Sequence, residues 1–493
     1  MTAEMSANKM TTAASPTSTS GEHRLSGNMG TAGVAFTVLA FNAPLAATVG
    51  FVPVIVGVGN QLGAPVTYLA AGALVMLFAV GFTTMSRHLP NPGAFYAYIT
   101  AGLGREAGLG ASFLALFLYI FMVVGGYIFG GIALNSLVHH SFHGPDIPWW
   151  AWVLVLQAVV GLLGYFKVDI SAKVLSLIMC GEVVIVAIWN AVVLFDGGPE
   201  GLTATSFSSS SIFSGSVGLA LLFGITCFTG FEATAIFRDE VRDPEKTIPR
   251  ATYIAVATMA SMYALAAYVL ITGYGPSSVV DATAADPAGS VLASYQTYLG
   301  SVAVHVVSIL LCTSIFASIL TMHNVTARYV HSLSVDQVLP SSLGHVHPRH
   351  GSPYRASLLT SAVAVVFLAT LGLAQVSMTS LYATLIGIGG YALIVLLLLT
   401  SIAIPGYFMR RRPEGVRLHA WKMIVSPLLA AAGFAFALYL ATDNIVLLTG
   451  QSQTVSNLVL ALAYGTFVLG FVVALVLRRR RPATYARIGR QDP

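Results

Sequence analysis

From about residue 30 onward, stretches of about 20 apolar residues recur along the chain, separated by short polar breaks; at 1.5 Å of rise per residue each can cross a hydrocarbon core of about 30 Å. Twelve such stretches lie at approximately 32–59, 66–86, 107–138, 149–166, 174–195, 214–237, 251–273, 301–322, 355–374, 379–408, 423–442 and 456–477. The pattern predicts an all-α polytopic membrane protein with 12 transmembrane helices. Residues 1–30 are rich in Ser, Thr, Ala and Met and contain no apolar run, so they read as a disordered tail with no signal-peptide core.

Composition agrees with lipid as the main solvent. Charged residues are 9% of the 493, against about 25% in soluble proteins, and hydrophobic residues are 56%. This argues against soluble enzymes, nucleic-acid binders and disulfide scaffolds. Cys180, Cys227 and Cys312 sit in apolar runs without metal-ligand spacing and read as small buried residues, with no metal or cofactor expected.

The basic residues give the orientation. With twelve spans, all 24 Lys and Arg fall on one side, while the opposite loops hold only the acids Asp146, Asp196, Glu200, Asp281, Asp286 and Asp443. Basic side chains near span ends stay cytoplasmic, so both termini are expected there. One missed span would invert every later loop and destroy the segregation. The net charge of +5 is therefore a mark of topology, with no nucleic-acid partner required. The run Arg478–Arg481 reads as an anchor beside anionic lipid, within a basic cytoplasmic tail over 478–493.

Two spans carry helix breakers. Span 1 contains Asn42-Ala43-Pro44-Leu45 followed by Gly50 and Pro53; span 6 contains Gly224 and Cys227-Phe228-Thr229-Gly230-Phe231-Glu232. A break in lipid is tolerated only where it faces protein or a water-lined cavity. Five spans separate the two, as a 5+5 inverted repeat requires, with repeat one over 31–196, repeat two over 213–408 and two further helices over 423–477. Exposed half-helix N-termini would attract an anion, and free carbonyls a cation or ammonium. The acids inside spans are Glu182 and Glu232, both candidates for proton coupling. Glu232 also reads as a carboxylate tying the broken backbone, and Glu182 as a helix-packing group. His305 and His323 read as hydrogen-bonded helix-interface histidines. His331 and Asp336 match an H-x4-D spacing used by membrane acyltransferases, but without a partner motif.

Three segments resemble the amino acid/polyamine/organocation transporter superfamily across residues 30–477. These are Pro90-Asn91-Pro92-Gly93-Ala94-Phe95-Tyr96-Ala97-Tyr98 with Gly102 and Gly104; Gly230-Phe231-Glu232 followed by Asp239-Glu240-Val241-Arg242-Asp243-Pro244 and Ile248-Pro249-Arg250-Ala251; and Asn324, Arg328, Asp336, Leu339-Pro340, His347-Pro348 and Ser352-Pro353. The resemblance implies a leucine-transporter-type fold, alternating access and transport of amino acids or related amines, often with protons. It places substrate between the broken spans, at Ala43, Pro44, Leu45, Ala46 and Cys227 to Glu232, with Phe228 or Phe231 closing over it and Arg328 and Asp336 at a cytoplasmic gate. Two departures stand out. Span 1 has Ala43-Pro44-Leu45-Ala46 where many members carry a Gly-rich carboxylate-binding motif, as in Pro-kinked polyamine importers. Val335 and Gln337 replace the usual Arg and Gly around Asp336. The expectation is a non-enzymatic amino acid permease, a monomer or homodimer in the cytoplasmic membrane, with a polyamine importer or an amino acid exchanger as the alternative.

Overall fold

A computed structural model describes residues 30–89, 95–166, 172–232, 234, 241, 243–373, 381–410 and 419–489. The tail before residue 30, the motif residues Pro90 to Ala94, and Asp239, Glu240 and Arg242 lie outside the described residues. No β-strand occurs among those described.

The first span is built in three pieces, α1 (Thr31–Asn42), α2 (Pro44–Gly50) and α3 (Val52–Val58). Then follow α4 (Ala64–Ser86), α5 (Phe95–Leu103), α6 (Arg105–Ser136), α7 (Trp149–Phe166) and α8 (Ala172–Asp196). A short α9 (Ser209–Ile212) leads to α10 (Val217–Thr226), α11 (Pro244–Tyr274), α12 (Val279–Ala285), α13 (Pro287–Val335), α14 (Tyr354–Leu373) and α15 (Leu381–Arg410). The chain closes with α16 (Ser426–Asp443), α17 (Ile445–Thr449), α18 (Gln453–Arg480) and α19 (Pro482–Arg487).

Among the described residues, eleven helical segments are long and apolar enough to span a membrane. Where the sequence places span 6 stands the shorter α10, which stops at Thr226 and gives way to turns. The break that marks this span also keeps it from the length a crossing needs. Gly300 (φ 78°, ψ −178°) interrupts α13, so its second piece begins where span 8 was expected. The basic run begins as helix, because α18 continues through Arg478, Arg479 and Arg480.

The long α6 packs against α15, α18, α13 and α7. Outward faces are apolar, with Phe195, Leu373 and Leu177 largely exposed, as helices solvated by acyl chains require. Small residues allow close crossings inside. A Cβ on Gly102 of α5 would stand 2.0 Å from the Ala403 carbonyl oxygen of α15, and one on Gly406 would stand 2.8 Å from the Gly102 oxygen. The Arg410 guanidinium donates to that same Gly102 carbonyl at 3.2 Å.

Gly102→Val should therefore lower the melting temperature in detergent, by about 1–3 kcal/mol of overpacking strain. A variant as stable as the parent would show that α5 and α15 are not in backbone contact.

Candidate substrate site

Proline 44 has no N–H and disfavours helical backbone at the residue before it. Ala43 accordingly adopts a left-handed conformation (φ 51°, ψ 69°), and the helix restarts with Pro44 in its first turn. The restart leaves first-turn N–H groups without intrahelical partners. Leu45 donates its N–H to Glu182 Oε2 of α8 at 3.0 Å, and Ala47 donates to the Ala43 carbonyl at 3.1 Å. Glu182 is buried, and Ser314 and Tyr263 face its carboxylate.

The second break is the reverse case, a helix end with carbonyls to satisfy. The Asn42 side-chain amide donates to the carbonyls of Cys227 and Thr229, both at 2.8 Å, and its oxygen accepts from the Tyr263 hydroxyl at 2.5 Å. The Thr229 hydroxyl donates to the Thr226 carbonyl at 2.6 Å. Gly230 takes φ 105°, a conformation that glycine adopts without steric cost. Its N–H donates to Glu232 Oε2 at 2.9 Å, and Glu232 faces Tyr119 and Tyr329.

Between the two breaks lies a cavity of about 80 Å³, room for several waters. Asn42, Ala43 and Ala46 line it from the first span, Cys227 and Thr229 from the second break, and Ser318 from α13. Met122, Phe129, Ile319 and Ile386 supply apolar wall, and no charged side chain contributes. Of the residues expected at the site, Pro44, Leu45, Phe228, Gly230, Phe231, Glu182 and Glu232 lie beside this cavity or behind its lining without forming its wall. Phe231 packs edge-on against Phe78 and Phe82, and Phe228 against Tyr263. Asn42 and Tyr263 went unassigned in the sequence. Asn42 stands directly before the Pro44 break, which was the available signal; nothing local marks Tyr263.

At the far end of α13, Asp336 accepts a hydrogen bond from the Tyr96 hydroxyl at 2.9 Å. Burial raises its carboxyl above the ordinary value, and the Tyr96 bond and nearby Arg487 partly offset this. Arg328 is exposed and makes no ion pair among the described residues. His323 is an interface histidine, with Nε2 3.0 Å from the Ser357 hydroxyl, whereas His305 is exposed, because it lies on an outward face of α13. Cys227 alone of the three cysteines is buried; Cys180 is exposed, because it points outward from α8. No three His, Cys, Asp or Glu side chains converge as a metal would need among the described residues.

The amino acid permease family model matches residues 39–483, from within α1 to α19. The chain belongs to the amino acid permease family. This permease is thus a multi-pass membrane protein of a transporter family. It is similar to the low-affinity putrescine importer PlaP of Escherichia coli (strain K12), 26% identical over 311 residues, which are 61% of this chain and 66% of the importer. The match therefore spans just under two thirds of that importer's length. It is also similar to the amino-acid permease RocC of Bacillus subtilis (strain 168), 25% identical over 372 residues, 72% of this chain and 74% of the relative. An uncharacterized transporter of Mycobacterium tuberculosis (strain ATCC 25618 / H37Rv) is 25% identical over 336 residues, covering 64% and 72%.

Replacing Asn42 with Leu removes the partner of two carbonyls and a hydroxyl. Each buried group left unpaired costs about 1–3 kcal/mol, so the variant should melt several degrees lower in detergent. An unchanged melting temperature would show that Asn42 does not hold the two breaks together.

Proposed function

We propose that this permease is a secondary active transporter of the cytoplasmic membrane that takes up a small neutral amino acid by alternating access, coupled to protons, with both termini cytoplasmic. The observation that carries the reading is the uncharged cavity between an exposed helix start at Ala43–Ala46 and an exposed helix end at Cys227–Thr229. A zwitterion brings its own two charges. Its carboxylate suits the positive end of α2, and its ammonium suits the carbonyl end of α10. A 5+5 repeat with these two breaks at corresponding positions supplies the rocking motion.

Glu182 supplies the coupling. Its carboxylate occupies the Leu45 N–H, a seat that a substrate carboxylate would also use. Protonation removes the charge that holds Glu182 there and frees the donor for substrate. Substrate and proton then load together, and a falling external pH favours loading. Glu232, bonded to Gly230 behind the cavity, holds the second break in shape.

Two observations favour a second reading, uptake of a small amine. One is the putrescine importer among the relatives, and the other is that a resident carboxylate already holds the Leu45 donor. In that case Glu182 would be the counter-ion of the amine.

Radiolabelled uptake into proteoliposomes, with and without an inward proton gradient, separates the two. Neutral amino acids should accumulate only with the gradient, and more strongly at lower external pH. Glu182→Gln should reduce gradient-driven accumulation by roughly ten-fold, the worth of a charged hydrogen bond, while leaving exchange of preloaded substrate. Putrescine uptake without amino acid uptake would establish the second reading, and uptake of neither across a broad panel would end both.

A further inference from the structure

Residues 482–489 pack into the face where α5 and α6 begin. Ile488 and Thr484 are buried, 1% and 4% exposed. The Tyr485 hydroxyl donates to Glu106 Oε1 at 2.7 Å, and Arg478 pairs with the same oxygen at 3.2 Å. The Arg105 guanidinium lies 5.3 Å from the centre of the Tyr485 ring. The Gly489 N–H donates to the Tyr96 hydroxyl, which itself donates to Asp336. Residues 482–489 thus touch α5 through Tyr96, the start of α6 through Arg105 and Glu106, and the end of α13 where the Gly489 backbone meets Asp336.

Both α6 and α13 line the central cavity, with Met122 and Gly126 on one and Ser318 and Met322 on the other. Met122 stands about 24 Å along α6 from Glu106, and Met322 about 21 Å along α13 from Asp336. Between the two levels, Tyr119 and Tyr329 close the seam at 5.6 Å between ring centres. Opening the cavity along this seam requires the ends of α6 and α13 to part, and that motion must peel away the strap.

We propose that residues 482–489 form an intramolecular latch that holds the cytoplasmic gate shut, so that the strap's release sets how readily the cavity opens inward. The proposal rests on the reading of this chain as an alternating-access transporter, but its test needs no substrate.

Cys227 lines the cavity, and the chain has three cysteines. With Cys180→Ser and Cys312→Ser, alkylation of Cys227 by a water-soluble maleimide reports access from either face. Gly489 has φ 79°, and a Cβ there would stand 2.5 Å from Thr100 Cγ2, so Gly489→Leu cannot dock yet leaves every span intact. Deletion of 482–493 is the second variant. In inside-out vesicles both should label roughly five-fold faster than the parent, the population shift that one lost hydrogen bond supports, and in right-side-out vesicles more slowly. An unchanged rate for Gly489→Leu overturns the latch. Faster labelling from both faces also overturns it, because that would mean general loosening of the fold. Failure of the transport panel with this reciprocal labelling intact would sink the substrate reading and leave the latch standing.

Discussion

A hydrocarbon core offers no hydrogen-bond partner to an interrupted helix, and the centre of this permease is organised around that constraint. Two helices are broken at membrane depth, and the polar groups so exposed are met by the chain itself. Glu182 takes a donor at the restart of the first span, and Asn42 takes two acceptors at the end of α10. The side chain that serves the second break stands directly before the first. Neither break can be described alone, because each draws one of its partners from another helix.

The cavity follows from this arrangement. Two helices that stop short leave a gap, and most of the residues bordering it are small or apolar. Its chemistry therefore comes mainly from backbone ends, with Asn42, Thr226, Thr229 and Ser318 as polar accents.

Much of this was legible in the sequence, and the limits are physical. Span positions could be read because lipid demands about twenty apolar residues in a row, a signal that survives without any tertiary information. Breaks could be read at Pro44 and Gly230, since one removes a donor and the other tolerates positive φ. Their partners could not be read. Asn42 meets Cys227 across 185 positions and Glu182 meets Leu45 across 137, and no local pattern encodes either pairing. The C-terminal strap was hidden for a different reason. Pro482–Gly489 carries no apolar run, and its run-on from four arginines reads as part of a basic tail until Glu106, Tyr96 and Thr100 are seen beneath it.

The crossing of α5 and α15 gives the molecule a mechanical property. Gly102 meets Ala403 and Gly406 with no side chain between the two backbones, and Arg410 fastens the same carbonyl. Side chains can rearrange and absorb a small displacement, whereas two backbones in contact leave no slack. Since α15 also reaches the cavity at Ile386, about 25 Å along the helix from Ala403, this backbone contact ties the cavity wall to the far end of α15 as a stiff lever would.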